Sequence, residues 1–145
     1  MERIALFPGS FNPFTIGHAN IVSRALNLFD KVIIGIGVNS EKPQEHISKN
    51  LKEIETRYAN EPRVKVITYT TLTADVVEKE NATCIIRGIR NNVDLNYESE
   101  IAQANYTLFK VETVFLLASP TLKEISSSLV RELERYGKNI EELLP

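Results

Sequence analysis

The chain has 145 residues, a length at which one domain, spanning residues 1–145, is the default reading. Hydrophobic residues make up 43% and charged residues 25%, the balance of a soluble globular protein. The formal net charge of −2 gives no overall basic field to draw the chain to nucleic acid or an anionic membrane, so any phosphate ligand must be held by local groups.

Residues 4–7 form a short apolar run ended by Pro8-Gly9, which reads as a buried strand meeting a turn. From 18 to 29 the apolar positions Ile21, Val22, Ala25, Leu26 and Phe29 recur at helical spacing. Residues 31–38 read as a second buried strand, and the polar stretch 39–50 as a loop. Leu51, Ile54 and Tyr58 mark a mostly charged helix over 48–58, and 64–69 a third strand. Residues 73–80 suit a short helix with Thr73 as N-cap, and 83–86 a fourth strand. A helix over 94–108 capped by Asp94, a strand over 113–117 and a helix over 126–136 stopped by Gly137 complete the series. A short last helix is expected over 140–144. The lone cysteine, Cys84, excludes an intrachain disulfide and reads as a small buried filler.

Apolar strands alternating with helices predict an α/β fold: a Rossmann-like, doubly wound, five-stranded parallel sheet with helices on both faces. Ligands of such sheets bind beyond the carboxyl ends of the strands, near the point where the strand order reverses. Three segments at those ends carry suitable chemistry. The first is Pro8-Gly-Ser-Phe-Asn-Pro-Phe-Thr-Ile-Gly-His18. Gly9 allows a tight turn, Ser10 offers a hydroxyl, and Gly17 lets backbone approach a ligand. His18 falls at a helix start, where free N–H groups and partial positive charge favour anions. It either caps the helix or donates to a phosphate.

The second is Arg87-Gly-Ile-Arg-Asn-Asn-Val-Asp-Leu-Asn-Tyr-Glu98. Two guanidiniums around Gly88 suit bidentate phosphate contacts. They equally suit salt bridges to Asp94 or Glu98. The third is Ile125-Ser-Ser-Ser-Leu-Val-Arg131, where consecutive serines before an amphipathic helix serve as N-caps, as phosphate ligands, or as both. Lys42 is a loop lysine beside Pro43, and His46, the only other histidine, reads as an exposed loop residue. No His, Cys, Asp or Glu cluster has metal-ligand spacing.

Thr15-Ile-Gly-His18 resembles the T/HxGH signature of the nucleotidyltransferase superfamily. The longer phrase from Phe7 to His18, together with RGxRxxxDxxYE over 87–98 and ISSSxVR over 125–131, resembles the bacterial phosphopantetheine adenylyltransferases. The resemblance runs from Arg3 to about Leu144 and departs in segment 45–53, which lacks the arginine of the E-E-R phrase common in members.

The resemblance implies transfer of AMP from ATP to 4′-phosphopantetheine, giving 3′-dephospho-coenzyme A and pyrophosphate in coenzyme A synthesis. It implies His18 as the transition-state stabiliser. It assigns ATP to Ser10, Phe11, His18, Gly88, Ile89, Arg90, Glu98 and the run Leu122, Lys123, Glu124, Ile125, Ser126, Ser127 and Ser128. It assigns the acceptor to Ser10, Lys42, Thr73 and Arg87. It implies Mg²⁺ arriving with ATP and a homo-oligomer, hexameric in the family. Partners other than ATP and the acceptor, such as nucleic acid or a membrane, are not expected. No signal-peptide pattern opens the chain and no apolar run approaches the ~20 residues of a membrane span, so a cytoplasmic location is expected. A sister reaction on nicotinate mononucleotide would use the first and third segments but leaves the second unexplained. A nucleotide-sensing module would bind ATP and release no pyrophosphate.

Overall fold

A computed structural model describes residues 1–39, 41 and 46–145. In chain order the elements are β1 (Ile4–Gly9), α1 (Ile16–Ala25), β2 (Lys31–Gly37), α2 (Ile47–Arg57), β3 (Val64–Tyr69), α3 (Thr73–Lys79), β4 (Cys84–Ile89), α4 (Asn92–Phe109), β5 (Thr113–Leu117) and α5 (Ser127–Arg135), followed by a single 3-10 turn, Glu141–Leu143. All strand pairs are parallel, in the order β3-β2-β1-β4-β5. The chain winds outward from β1 in one direction and from β4 in the other. The carboxyl ends of β1 and β4 therefore flank the switch point.

The central strands are buried on both sides, which explains their near-continuous apolar sequences. Alternate residues feed two cores. Ala5, Phe7, Val32, Ile34, Ile36, Cys84 and Ile86 face α1, through Ile21, Val22 and Ala25, and α2, through Ile54. Leu6, Ile33 and Ile85 face α3, through Ala74, Val76 and Val77. The fold is thus the Rossmann-like, doubly wound arrangement the sequence predicts. Burial pushes the Cys84 thiol up to about 11, with the Glu112 carboxylate adding to it, as suits an inert filler.

Several element ends differ from expectation for physical reasons. α1 begins at Ile16, ahead of His18, because the Thr15 side chain caps it. β4 runs on through Arg87, Gly88 and Ile89, because these pair in register with Phe115, Leu116 and Leu117. The cap of α4 is Asn91, whose side chain accepts from the Asp94 N–H, since the Asp94 carboxylate is engaged by Arg90. Thr73 is the first residue of α3 and makes no cap; Leu72 takes that position, and the Thr73 hydroxyl bonds to Tyr69 Oη at 3.0 Å. α2 opens at Ile47, inside the expected loop, with a partly buried His46 at its N-cap position. Gly137 closes α5 with φ +74°, where a side chain would be strained.

Candidate active site

The loop from β1 to α1 is built around aromatic packing. Phe7 meets Phe11 edge-on at 5.1 Å, Phe11 meets the His18 ring edge-on at 5.0 Å, and Phe14 stacks on it at 5.4 Å. Gly9 is needed here: a Cβ at that position would lie 3.0 Å from the Phe11 ring. Thr15 and His18 then close a reciprocal cap. The Thr15 hydroxyl accepts from the His18 N–H at 3.3 Å, and the Thr15 N–H donates to His18 Nδ1 at 2.9 Å.

That second bond decides the chemistry of the imidazole. With Nδ1 accepting, the ring proton belongs on Nε2. Burial of the ring, and behind it the charges of Arg87 and Arg90, pull the pKa of His18 from 6.5 to about 4. His18 is therefore a neutral donor at physiological pH, with its Nε2–H left for a ligand. One ring nitrogen serves the cap, and the residue also lines the cleft.

The cleft, of about 360 Å³, lies over the switch point. It draws on all three segments singled out in the sequence. Ser10, Phe11, Gly17 and His18 come from the first, Arg87, Gly88, Arg90 and Glu98 from the second, and Ile125, Ser126, Ser127 and Ser128 from the third, with Leu122 just ahead of it. Gly88 lies beneath α1, where a Cβ would come within 3.3 Å of the Ile21 side chain.

Both arginines carry carboxylates. Arg87 makes a two-pronged pair with Glu98, Nε to Oε2 at 3.0 Å and Nη2 to Oε1 at 2.7 Å, and donates its remaining Nη1 to the Pro8 carbonyl. Glu98 is only 8% exposed. Arg90 makes a looser pair one helical turn away, with Asp94 at 3.0 and 3.3 Å. Partial burial raises the Asp94 carboxyl, but the Arg90 hydrogen bonds outweigh it and hold the group below the usual carboxylate range. Sequence left the pairing open. The structure settles it through strand alternation: Arg87 is two residues beyond Ile85 and shares its face of the sheet, the face on which α3 packs.

In the third segment the serines divide their labour. Ser126 caps α5 by accepting from the Leu129 N–H at 3.1 Å, Ser127 donates to the Pro13 carbonyl at 2.7 Å, and Ser128 accepts from Arg131 at 3.2 Å. Arg131 also reaches the Asn12 carbonyl at 2.5 Å and lines the cleft. It closes the ISSSxVR phrase, yet sequence reasoning gave it no role; its position in that phrase was the available signal. Asp94 was likewise treated as a cap and is a lining residue.

Five expected residues are not among the described lining of this cleft. Ile89 is buried at the end of β4, where its carbonyl accepts from the Ala118 N–H at 2.8 Å. Lys123 and Glu124 are exposed and outside the cleft lining. Thr73 lines a second cleft of about 210 Å³, with Tyr69, Tyr97, Ile101 and Asn105. Lys42 falls outside the described residues. The two clefts share Pro8, Gly9, Arg87 and Glu98, so they meet at the Arg87–Glu98 pair.

A parallel sheet with a T/HxGH histidine and a serine-capped helix around one cleft defines a nucleotidyltransferase. The cytidylyltransferase-like family model matches residues 6–133. Relatives named phosphopantetheine adenylyltransferase are 46% identical in Flavobacterium johnsoniae and in Phocaeicola vulgatus, each over 99% of this chain and 95% of the relative. The one from Cytophaga hutchinsonii is 46% identical over 100% of this chain and 98% of its own. The chain belongs to the phosphopantetheine adenylyltransferase family.

Proposed function

We propose that the protein transfers AMP from ATP to 4′-phosphopantetheine, releasing 3′-dephospho-coenzyme A and pyrophosphate. The observation that carries this reading is the meeting of two clefts at Arg87. A group-transfer enzyme must bring two substrates to one point. ATP takes the larger cleft, against Ser10, Phe11, His18, Gly88, Arg90, Glu98, Leu122, Ile125, Ser126, Ser127 and Ser128. The acceptor takes the smaller, with its phosphate at Arg87 and Ser10 and its arm beside Thr73.

An oxygen of the acceptor phosphate attacks the α-phosphorus in line, and the bond to the bridging oxygen breaks as pyrophosphate leaves. A phosphate monoester is already anionic near neutral pH, with a second pKa near 6, so the step needs no strong base. This agrees with a histidine that is neutral and holds its free proton outward. His18 donates that N–H to the α-phosphate as charge grows there, and Arg90, Arg131 and the serines take up the outer phosphates. To bind phosphate, Arg87 must share its guanidinium with Glu98, and Arg90 with Asp94.

Mg²⁺ would arrive with ATP and, when bound, would neutralise charge on the triphosphate. An ion arriving this way would be held mainly through phosphates and water. We place the enzyme in the cytoplasm; among the described residues no helix is long and apolar enough to cross a membrane. It works as a homo-oligomer, a hexamer by family likeness. Support comes from α4, which leaves Val93, Tyr97, Ile101, Tyr106 and Leu108 exposed and buries only Glu98 among its 18 residues.

The test is an acceptor panel. Purified protein with ATP and Mg²⁺ is expected to release pyrophosphate with 4′-phosphopantetheine and not with nicotinate mononucleotide. Release only with the latter, or with neither, overturns the reading.

A further inference from the structure

The segment from β5 to α5 forms one wall of the larger cleft through Ala118, Leu122 and Ile125. It contains no strand or helix of its own, only turns closed by Leu122 N–H to the Ser119 carbonyl and Ile125 N–H to the Leu122 carbonyl. Its distance from His18 must therefore be set by what fastens its ends. The exit is tied to the first segment, as described, by Ser127 on the Pro13 carbonyl and Arg131 on that of Asn12.

The entry is tied by the Ala118 N–H on the Ile89 carbonyl and by three side chains that line neither cleft. Asn20 and Arg24 stand one turn apart on α1. Arg24 Nη1 donates to the Leu117 carbonyl at 2.6 Å, across 93 residues of sequence. The same nitrogen approaches Asn20 Oδ1 at 3.4 Å, and the Ser119 hydroxyl donates to that oxygen at 3.0 Å. The Asn20 amide oxygen thus gathers two donors: it holds Ser119 directly and steadies the Arg24 guanidinium that holds Leu117, both on the helix that carries His18. Asn20 is two positions beyond His18, about 3 Å along the axis at 1.5 Å per residue. The phosphate donor and the anchor of the opposite wall are parts of one rigid rod.

We propose that Asn20, Arg24 and Ser119 are positioning residues for the nucleotide: they hold the 118–125 wall at a fixed distance from His18. The proposal rests on the functional reading only in taking the ligand of the larger cleft to be ATP. Losing one such bond lets the wall relax. ATP then binds roughly five- to tenfold more weakly, the net contribution of one hydrogen bond. The acceptor cleft, on the other side of Arg87, is unaffected.

The experiment measures ATP affinity by calorimetry without acceptor, then KM for each substrate, for Asn20→Ala, Arg24→Ala, Ser119→Ala and Asn20→Asp. The first three are expected to raise the ATP Kd and KM together, with acceptor KM within about twofold. Asn20→Asp keeps the shared acceptor oxygen and is expected to retain native ATP affinity. Ser119→Ala leaves α1 intact and reads the same bond should a helix variant fail to fold. Unchanged ATP affinity in the alanine variants overturns the proposal. So does an equal rise in both KM values, or a loss in Asn20→Asp as large as in Asn20→Ala. If no acceptor yields pyrophosphate while Asn20→Ala still weakens ATP binding, the functional reading fails and the positioning role stands.

Discussion

Helices α1 and α4 each leave a strand at the switch point, and each brings a site residue to the same cleft, but they are held by different physics. α1 buries Ala19, Ile21, Val22 and Ala25 among its ten residues. α4 is nearly twice as long and buries one, a glutamate. His18 is therefore placed by a packed helix, a reciprocal cap and three aromatic rings, whereas Glu98 and Asp94 are placed by arginines. A core-held group is fixed before substrate arrives. A group held by an ion pair is fixed only while its partner is not called on elsewhere, and here both partners are the arginines proposed to bind phosphate.

The largest effect that distinguishes the two should come from His18→Ala. Removing a single positioned donor to developing charge costs about 10²- to 10³-fold in kcat. The fold is expected to survive, since the core of α1 does not depend on the imidazole. Steady-state kinetics beside a thermal melt checks both halves. Turnover within a few-fold of native would place transition-state stabilisation on the arginines that hold α4 and reverse the comparison.

The same residue makes a pH prediction. The folded pKa of His18 is about 4 and the unfolded value 6.5, so between these the unfolded chain binds more protons and stability rises with pH. Stability is lost as pH falls from 6.5 toward 4, on the order of 3 kcal/mol from this group. Denaturant melts of native protein and His18→Asn at pH 7 and 4.5 isolate the term, because the other titrating groups are common to both. Asn cannot titrate and can still accept from Thr15. Equal slopes would show that the ring is not held neutral by burial. In the kinetics, an inflection near 6 belongs to the acceptor phosphate and should persist in the variant.

These contrasts mark what the sequence could and could not show. The five strands were legible because each is an apolar or β-branched run, and β3 and β5 fall where the patterning puts them. The end of β4 was not, since Arg87-Gly88-Ile89 breaks the apolar run and only pairing with β5 keeps it extended. All three phosphate-suited loops converge as expected, because strand order and the switch point follow from α/β alternation. The tautomer of His18 and the choice between two arginine–carboxylate pairings depend on distances of a few ångströms across the fold, which spacing does not encode. Asn20 and Ser119, 99 residues apart, carry no motif at all.

A smaller effect is expected from the ion pairs. Arg87→Leu strands a buried carboxylate, Glu98, and should cost about 2 kcal/mol of stability. That is below the full cost of breaking a buried pair, because Arg87 keeps 32% of its side-chain surface exposed. Arg90→Leu, which frees the more exposed Asp94, should cost under about 1 kcal/mol. Adding Glu98→Leu to Arg87→Leu should recover most of the loss. Equal costs for the two arginines would mean that the Arg87–Glu98 pair is not what seats α4.

The smallest effect on the chemistry of a single subunit should come from the uncovered side of α4. Val93 is 78% exposed and Leu108 69%, and neither lines the two clefts. An isolated subunit gains nothing from such residues, and covering by another copy, as proposed above, would bury them. Native protein should then sediment at a multiple of 16.4 kDa, and Val93→Glu with Leu108→Glu should shift it toward that mass while ATP affinity stays native. A native chain that sediments as a single subunit, or an assembly indifferent to both charges, would leave α4 held by its arginines alone. If the variant dissociates and acceptor KM rises while ATP affinity holds, the second subunit steadies the wall that Tyr97 and Ile101 give to the smaller cleft. The looser of the two helices would then be completed by assembly, as the tighter one is completed by its core.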